Sequence, residues 1–504
     1  MTADRRTLAQ SLHFWARNAS NESALLRTSL SLGLFDALPV KGEAPPVSMA
    51  ELAGRIQCPH RGTRALTELL VCLGFVQLDD ARTLALSPTV AAFLRDAAFR
   101  QRLEDQHPWW GAAGQLAEAV KQGGPVAHAG GTWDVLGHYR ALFLAPAAAG
   151  PSPEAEDFFD RFARSALRMQ VLLAAGRLGL LDALSSQSHT EQTLGATTKL
   201  GGEGLSLMLA LLEQLGIVQV DGPSWRLTDD ARQLLDGKAL PYLLRALSVS
   251  EQYWEALGRL DETVREERFI LDLKDPEVSQ RFYADNSSQI TAVFASHFQL
   301  SRRAAATVAQ ARPLEDAQVL DIGTGSGVWG AAFARATPTT HVTYFDQAVV
   351  LEQVRRNVET LKVLDRARFW PGNLFTQDFG EADFDLIILP QVLNVLRPED
   401  LPGMFARVAR ALRPGGVLVI AEYVLDERRD GPLDHLYFGL RRFMTNEGDL
   451  LSASEYGQLL ADVGLSSSVC IPLPTQELLL AARPGVPLPT ALAPPPASTR
   501  KSAA

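Results

Sequence analysis

The stretch "VLDIGTGSGVWG", residues 319–330, decides how the C-terminal part of this chain is interpreted. An apolar strand ends at Asp321, glycines follow at positions 323, 325 and 327, and small residues then begin a helix. Glycine has no Cβ, so the backbone of such a turn can come close to a ligand. The spacing is GxGxG, and Val328 occupies the position where a dinucleotide-binding loop carries its third glycine. The stretch therefore predicts a ligand-binding turn between a strand and a helix.

The same part of the chain predicts an α/β fold. Short apolar runs alternate with helical stretches, which favours a parallel sheet with helices on both faces. The five runs are "AQVLDIG", "HVTYFD", "ARFWPGN", "FDLIILP" and "GGVLVIAEY".

Polar and aromatic residues follow two of these strands. Asp346 closes "HVTYFD", where a carboxylate could accept both hydroxyls of a ribose. The "GNLF" stretch, 372–375, closes the third strand and would bring Asn373 and Phe375 near an adenine. An "RPGG" turn, 413–416, leads into the fifth strand.

The glycine loop, the acid, "GNLF" and "RPGG", in that order, resemble the class I S-adenosylmethionine-dependent methyltransferases from Ala317 to about Arg483. The resemblance implies a Rossmann-like domain and S-adenosylmethionine as the cofactor. By that resemblance Gly323, Gly325 and Gly327 hold the methionine portion and Asp346 the ribose. The remaining implied cofactor contacts are Asp321, Gly372, Asn373 and Phe375.

From the second of two N-terminal repeats onward, the chain is similar to the small-molecule O-methyltransferases. In that family a winged-helix domain dimerises and helps to close the substrate pocket. The family's proton-accepting histidine corresponds to Asn394 in "QVLNVLRPED", and its orienting glutamate corresponds to Leu450. The family's other acid corresponds to Glu422.

An amide cannot act as a base at neutral pH, although it can hydrogen-bond a substrate atom. Much of the acceleration of methyl transfer can come from positioning alone, so transfer to oxygen, nitrogen or carbon stays open. His297 and His435 are alternative proton acceptors, although each is more often a packed or surface histidine. Arg441 and Arg442 are read as a contact for a substrate carboxylate or as a solvated helix face. Aromatic residues at 282, 283, 294, 438 and 443 suit an aromatic pocket or a core.

The N-terminal part repeats itself. "SLGLFDAL" (31–38) returns as "RLGLLDAL" (177–184), and "LLVCLGFVQLDD" (69–80) returns as "LLEQLGIVQVDG" (211–222). Each repeat predicts helices followed by a two-stranded hairpin, a winged-helix pattern. The predicted division is a first winged-helix unit over 1–150, a second over 151–310, the methyltransferase domain over 311–483 and a disordered tail over 484–504.

Composition limits the partners. The chain has 504 residues and a net charge of −10, which argues against bulk binding to nucleic acid or to an anionic membrane. Few basic residues cluster in the winged-helix units, so dimerisation or substrate enclosure is favoured over DNA contact. Three cysteines without metal-ligand spacing and no apolar leader predict a cytoplasmic protein without a metal site. The expected state is a homodimer, or a monomer in which the first repeat replaces the partner chain.

We therefore expect a methyltransferase for a small, aromatic or polyketide-like secondary metabolite. Two alternatives stay open: a family member that uses S-adenosylmethionine for decarboxylation or hydroxylation, and a non-catalytic binding or regulatory protein.

Overall fold

The computed structural model describes residues 7–145, 150–235, 239–273, 275, 277, 278, 281, 282 and 287–493, without the side chains of 287–296. The chain divides into two compact units, Met1–Asp272 and Leu273–Ala504. Tyr283, the side chain of Phe294 and residues 494–504 of the tail lie outside the described part. The four-part division at residues 150, 310 and 483 stays a prediction.

The N-terminal unit is mainly helical. Its helices are α1 Leu8–Arg17, α2 Ala19–Ser31, α3 Leu34–Ala37, α4 Met49–Ile56, α5 His60–Cys72, α6 Pro88–Arg95, α7 Ala97–Glu104, α8 Trp110–Ala113, α9 Leu116–Gln122, α10 Val135–Phe143, α11 Pro153–Phe162, α12 Ser165–Arg177, α13 Leu180–Ser186, α14 Glu191–Thr198, α15 Gly202–Gln214, α16 Asp229–Leu234, α17 Ala239–Gln252, α18 Trp254–Gly258 and α19 Leu260–Glu266. Its strands are β1 Val76–Leu78, β2 Leu84–Leu86, β3 Val126–His128, β4 Gly131–Trp133, β5 His189–Thr190, β6 Val218–Asp221 and β7 Ser224–Leu227.

Both hairpins predicted for the N-terminal part are confirmed. Strand β1 pairs antiparallel with β2, and β6 pairs antiparallel with β7. A third hairpin, β3–β4, was not predicted from the sequence. Its turn residues Ala129 and Gly130 both have positive φ, the geometry of the turns that join two strands directly. The "HAGG" stretch was the signal that could have revealed it.

The two repeats share one core. A single cluster of buried apolar side chains draws on α9 and α10 of the first repeat and on α12 and α15 of the second. A partly buried ion pair also joins them: Arg161 donates from Nε and Nη2 to the carboxylate of the fully buried Glu22 at 2.8 and 2.7 Å. The repeats therefore form one folded body.

The C-terminal unit alternates helices and strands. Its helices are α20 Ser287–Ala311, α21 Val328–Ala334, α22 Ala348–Thr360, α23 Leu401–Ala411, α24 Leu433–Thr445 and α25 Ala453–Asp462. Its strands are β8 Gln318–Ile322, β9 His341–Asp346, β10 Ala367–Pro371, β11 Phe384–Pro390, β12 Leu412–Glu422, β13 Ser467–Pro472 and β14 Glu477–Ala482.

These strands form one seven-stranded sheet in the order β10-β9-β8-β11-β12-β14-β13. The five predicted strands, β8 to β12, are present and pair in parallel. Strand β14 runs antiparallel to both β12 and β13, and this pair of strands was not predicted. Because the strand order reverses between β8 and β11, the carboxyl ends of these strands border a crevice where ligands bind in such sheets.

Helices cover both faces of the sheet, as predicted. Alternate residues of β11 show the period of two: Leu386 and Ile388 join the core beneath α20, α21 and α22. Ile387 and Leu389 join the core beneath α23 and α25. The near-continuous apolar run of β11 reflects burial on both sides.

The first ten residues of the predicted tail are ordered, which corrects the prediction of disorder from 484. Val486, Leu488 and Leu492 pack against the core beneath α20. The amide nitrogen of Ala493 donates to Thr307 Oγ1 at 2.9 Å. Spaced leucines and valines within a proline-rich stretch are enough to anchor it. Across the described residues, no helix is long and apolar enough to cross a membrane.

Candidate active site

The glycine turn after β8 is held by the neighbouring strand. The amide nitrogens of Gly323 and Thr324 donate to the carbonyl oxygen of Phe345, at 2.9 and 3.3 Å. The amide nitrogen of Gly325 donates to Asp346 Oδ2 at 3.0 Å. The end of β9 therefore fixes the position of the loop that follows β8.

The three glycines differ in what requires them. All three have positive φ, which disfavours other residues. A Cβ on Gly323 would lie 2.4 Å from a methyl of Val392, and one on Gly327 would lie 2.5 Å from Val354. A Cβ on Gly325 would meet nothing nearer than 4.0 Å. Packing explains Gly323 and Gly327, while Gly325 presents bare backbone to open space.

Asp321 is fully buried beneath this turn. Its Oδ2 accepts hydrogen bonds from Thr324 Oγ1 at 2.6 Å and from the Gly330 amide at 2.9 Å. Its Oδ1 has no partner among the described residues. Burial raises the pKa of Asp321 to about 7, opposed by these two hydrogen bonds and reinforced by the nearby charge of Asp346. The side chain therefore shapes the turn and retains one unused acceptor atom.

Asp346 stands at the carboxyl end of β9. Its Oδ2 accepts from Gly325 and its Oδ1 from the Gln347 amide at 2.8 Å. Burial raises the pKa of this carboxyl, and the two amide hydrogen bonds oppose that effect. Each carboxylate oxygen can accept a further hydrogen bond. Asp346 can therefore hold the loop and still bind a pair of hydroxyls.

The "GNLF" stretch turns away from β10 directly after the strand. Asn373 Oδ1 accepts from the Phe375 amide at 2.9 Å, so this side chain stabilises its own turn. The ring of Phe375 is 53% exposed. A Cβ on Gly372 would lie 2.5 Å from the ring of Phe345, so packing requires this glycine.

Asn394 and Glu422 form a buried pair after β11 and β12. Asn394 Nδ2 lies 2.9 Å from both carboxylate oxygens of Glu422, and both residues are at most 1% exposed. The Tyr423 amide donates to the same carboxylate at 3.0 Å. Burial raises the pKa of Glu422 to about 7, and the hydrogen bonds and the charge of Arg442 oppose the increase. Both hydrogen bonds from the side-chain nitrogen of Asn394 therefore go to Glu422.

The two histidines named from the sequence have different surroundings. His435 is buried on α24, and its Nδ1 lies 2.7 Å from the Val424 carbonyl oxygen, to which it can only donate. This bond leaves Nε2 as the proton-accepting nitrogen. The ring lies 5.2 Å from that of Tyr423, which follows Glu422. Burial lowers the pKa of His297, on α20, to about 4, which makes this imidazole a poor proton acceptor near neutral pH.

Aromatic and basic residues of α24 extend this site. The rings of Tyr423 and Phe438 are 4.2 Å apart, and the Arg442 guanidinium lies 5.0 Å from the Phe438 ring centre. Arg442 is only 8% exposed, so the reading of this residue as part of a solvated face is wrong. Leu450 is buried and packs near Gly439. Sequence reasoning missed Tyr423, although its place directly after β12 was the available signal.

The fold and the site define the class. A sheet with two antiparallel strands beside a parallel core, a glycine turn after the first strand and an acid after the second form the framework of a class I methyltransferase. The exposed backbone at Gly325, the unused Asp321 Oδ1 and the remaining acceptors of Asp346 fit a cofactor with polar groups and a ribose.

Two family models match the chain. The O-methyltransferase domain matches residues 275–466, and the O-methyltransferase dimerisation domain matches residues 17–96. The chain belongs to the O-methyltransferase family, and S-adenosylmethionine is its expected cofactor.

Several relatives support this assignment. Acetylserotonin O-methyltransferase of Bos taurus is 26% identical over 334 residues, 63% of this chain and 94% of that protein. The mitomycin biosynthesis 6-O-methyltransferase of Streptomyces lavendulae is 25% identical over 333 residues, 63% of this chain and 91% of that protein. The match to the tetracenomycin polyketide synthesis 8-O-methyl transferase of Streptomyces glaucescens is 26% identical over 153 residues, 30% of this chain and 44% of that protein.

Solved structures share the fold. An O-methyltransferase family protein from Burkholderia thailandensis has a TM-score of 0.55 at 20% identity, covering 67% of this chain and 99% of that one. Human N-acetylserotonin methyltransferase, solved in complex with S-adenosylmethionine, has a TM-score of 0.53 at 20% identity with the same coverage. About a third of this chain lies beyond what matches a whole relative.

Proposed function

We propose that this protein transfers the methyl group of S-adenosylmethionine to a small aromatic or polyketide-like acceptor. The observation that carries the proposal is the pair of Gly325 and Asp346. The glycine exposes backbone to open space, and the acid that fixes it keeps further acceptors. Packing within the protein explains the other glycines of the turn, but it does not explain the open side of Gly325.

Asp346 would hold the ribose hydroxyls, and the ring of Phe375 would face the adenine. An exposed aromatic ring beside a polar turn is suited to stacking on a planar base. The turn from Gly323 to Gly327 would lie against the methionine portion, with Asp321 Oδ1 available to a donor. When bound, S-adenosylmethionine supplies a methyl group on a positively charged sulfur.

Asn394 would position the acceptor through its amide oxygen. Its nitrogen is bonded to Glu422, and its oxygen accepts no hydrogen bond from the described residues. That oxygen can therefore receive a hydrogen bond from a hydroxyl or amine of the acceptor. Glu422 acts as a positioning residue, because its contact is with the amide and fixes which amide atom is free.

In the reaction, a bond forms between the acceptor atom and the methyl carbon while the bond from sulfur to that carbon breaks. The acceptor proton must leave, and Asn394 cannot take it. Between the two histidines, His435 has the better arrangement for this step, since its Nδ1 bond orients the ring and Nε2 retains a lone pair. An acidic phenol or an amine would lose its proton with little help.

The acceptor class rests on the aromatic side chains beside the pair and on the relatives. Tyr423 and Phe438 provide ring surfaces within this unit. The relatives are named for acetylserotonin, for tetracenomycin polyketide synthesis and for mitomycin biosynthesis. A planar small molecule with a hydroxyl or amine suits both observations.

The direct test is incubation with methyl-labelled S-adenosylmethionine and a panel of phenols, enols and aromatic amines, followed by mass spectrometry. We expect a product heavier by one labelled methyl group. A product that lost carbon dioxide or gained oxygen would establish the alternative chemistry. Binding of the cofactor without conversion of any panel member, by protein whose cofactor affinity depends on Asp346, would favour the non-catalytic alternative. His435→Gln and His297→Gln, assayed in parallel, assign the proton acceptor.

A further inference from the structure

The two halves of the N-terminal unit contain a series of matching helices. Helices α2, α4 and α5 contain 13, 8 and 13 residues, and α12, α14 and α15 contain the same numbers in the same order. Each half then adds its hairpin. The turns correspond as well, since Gly33 and Gly179 have φ of 64° and 71°, and Gly74 and Gly216 have φ of 76° and 73°.

Equivalent residues of the two halves contact each other reciprocally. Trp110 begins α8 and Trp254 begins α18. Trp110 Nε1 donates to the Trp254 carbonyl oxygen at 2.8 Å, and Trp254 Nε1 donates to the Trp110 carbonyl oxygen at 3.1 Å. Their rings stack with centroids 4.2 Å apart. Each tryptophan therefore donates a hydrogen bond to the backbone carbonyl of the other.

The glycines beside these tryptophans repeat the relation. A Cβ on Gly114 would lie 2.7 Å from Trp254 Nε1, and one on Gly258 would lie 2.5 Å from Trp110 Cδ1. Each tryptophan therefore packs over the glycine at the end of the other half's helix.

A second, separate set of contacts has the same symmetry. A Cβ on Gly62, the third residue of α5, would lie 2.9 Å from the Val264 carbonyl oxygen, on the fifth residue of α19. A Cβ on Gly204, the third residue of α15, would lie 2.8 Å from the Val120 carbonyl oxygen, on the fifth residue of α9. The helices approach closely at two equivalent places, and each place requires a glycine.

This pattern, in which residue i contacts j and the equivalent of j contacts the equivalent of i, is that of a two-fold symmetric interface between identical subunits. Here both sides belong to one chain. The first half also contains residues 17–96, which match the dimerisation domain.

We infer that the first half of the N-terminal unit is a built-in dimerisation partner: it occupies on the second half the surface that a second chain would occupy. The chain is then a monomer with two dimerisation modules and one methyltransferase domain. The extra third of the chain, relative to the proteins that it matches, is accounted for by that module. The inference is independent of which acceptor is methylated.

Light scattering on the full chain is the first test. We expect a single species of 54.8 kDa at every concentration used. A particle of two chains would overturn the inference.

A second test cuts the folded full chain at a protease site placed between Ala145 and Gly150. The two pieces should stay together as one particle of unchanged mass, because the reciprocal interface and the shared core join them. Separation of the pieces in native buffer would show that the covalent link, not an interface, holds the halves together.

The glycines supply matched variants. Gly62→Ala and Gly204→Ala each place a methyl group against a backbone carbonyl of the other half, so both should lower the melting temperature and weaken the association of the two pieces after cleavage. Gly54→Ala is the control, because a Cβ there meets nothing within 4 Å and the residue lies within α4. Weakened association of the cleaved pieces in Gly54→Ala, or unchanged melting temperature and association in both Gly62→Ala and Gly204→Ala, would contradict the inference.

Discussion

The buried pair of Glu422 and Asn394 makes a quantitative prediction about stability. Glu422 is fully buried, and burial raises its pKa from the ordinary 4.5 to about 7. In the unfolded chain the carboxyl recovers its ordinary value. Glu422→Gln removes the ionisable group while keeping the size of the side chain and one oxygen for the Asn394 amide.

The direction in which stability changes with pH follows from the number of protons that the native and unfolded states bind. Below about pH 4.5 the carboxyl is protonated in both states, so it costs nothing. Between about pH 4.5 and pH 7 the native state holds a proton that the unfolded state has lost, so stability falls as the pH rises. At about 1.4 kcal/mol per pKa unit, the native protein loses about 3 kcal/mol through this group by pH 8. Glu422→Gln has no ionisable group at this position and therefore does not lose this stability.

The assay is urea unfolding at pH steps from 4.5 to 8, following the transition that S-adenosylmethionine shifts, since a ligand stabilises the unit that binds it. The free energy of unfolding of Glu422→Gln should rise relative to wild type by about 3 kcal/mol across this range. Asp321, whose pKa is also raised to about 7, is present in both proteins and cancels. Glu359→Gln, at an exposed position of α22, is the control. Parallel pH curves for wild type and Glu422→Gln would refute the reasoning.

Further outcomes concern the cofactor, the acceptor and the fold. Asp346→Ala should weaken S-adenosylmethionine binding by roughly 2–4 kcal/mol, about 30- to 1,000-fold by calorimetry, and unchanged affinity would contradict the assignment. Gly325→Ala should cost about 1–2 kcal/mol of stability for its positive φ and weaken cofactor binding as well, whereas intact affinity would remove the turn from the site. Asn394→Ala should slow single-turnover methyl transfer by roughly threefold to tenfold, and a loss beyond about a thousandfold would falsify the positioning role. Ser452→Ala removes the side-chain cap of α25 and should lower stability by about 1 kcal/mol in thermal unfolding, a change that an unaltered melting temperature would exclude.

The sequence determined the local features. Apolar runs of the right length predicted β8 to β12, and the run is most continuous in the central strand β11, which is buried on both faces. The glycines of the turn and the repeated "GLFDAL"-type motifs could also be recognised in the sequence. Positive φ restricts which residues can occupy such positions. Strand β13 lies at the edge of the sheet and has mixed polarity, which does not separate it from a loop. Strand β14 lies between β12 and β13, and a short apolar run of this kind does not by its periodicity distinguish a strand from a buried helix.

Only the tertiary structure decided what each site residue does. The sequence gives no sign that the side-chain nitrogen of Asn394 is hydrogen-bonded to Glu422, because Asn394 lies in the turn after β11, Glu422 ends β12, and the two meet only because these strands pair. In the sequence the three glycines of the turn look equivalent. In the structure, packing against Val392 and Val354 explains Gly323 and Gly327, whereas Gly325 faces open space. The repeat was visible along the chain, but the reciprocal contacts of Trp110 and Trp254 arise from packing two similar bodies face to face. Spatial relations of this kind depend on the arrangement of distant segments, which local sequence patterns do not encode.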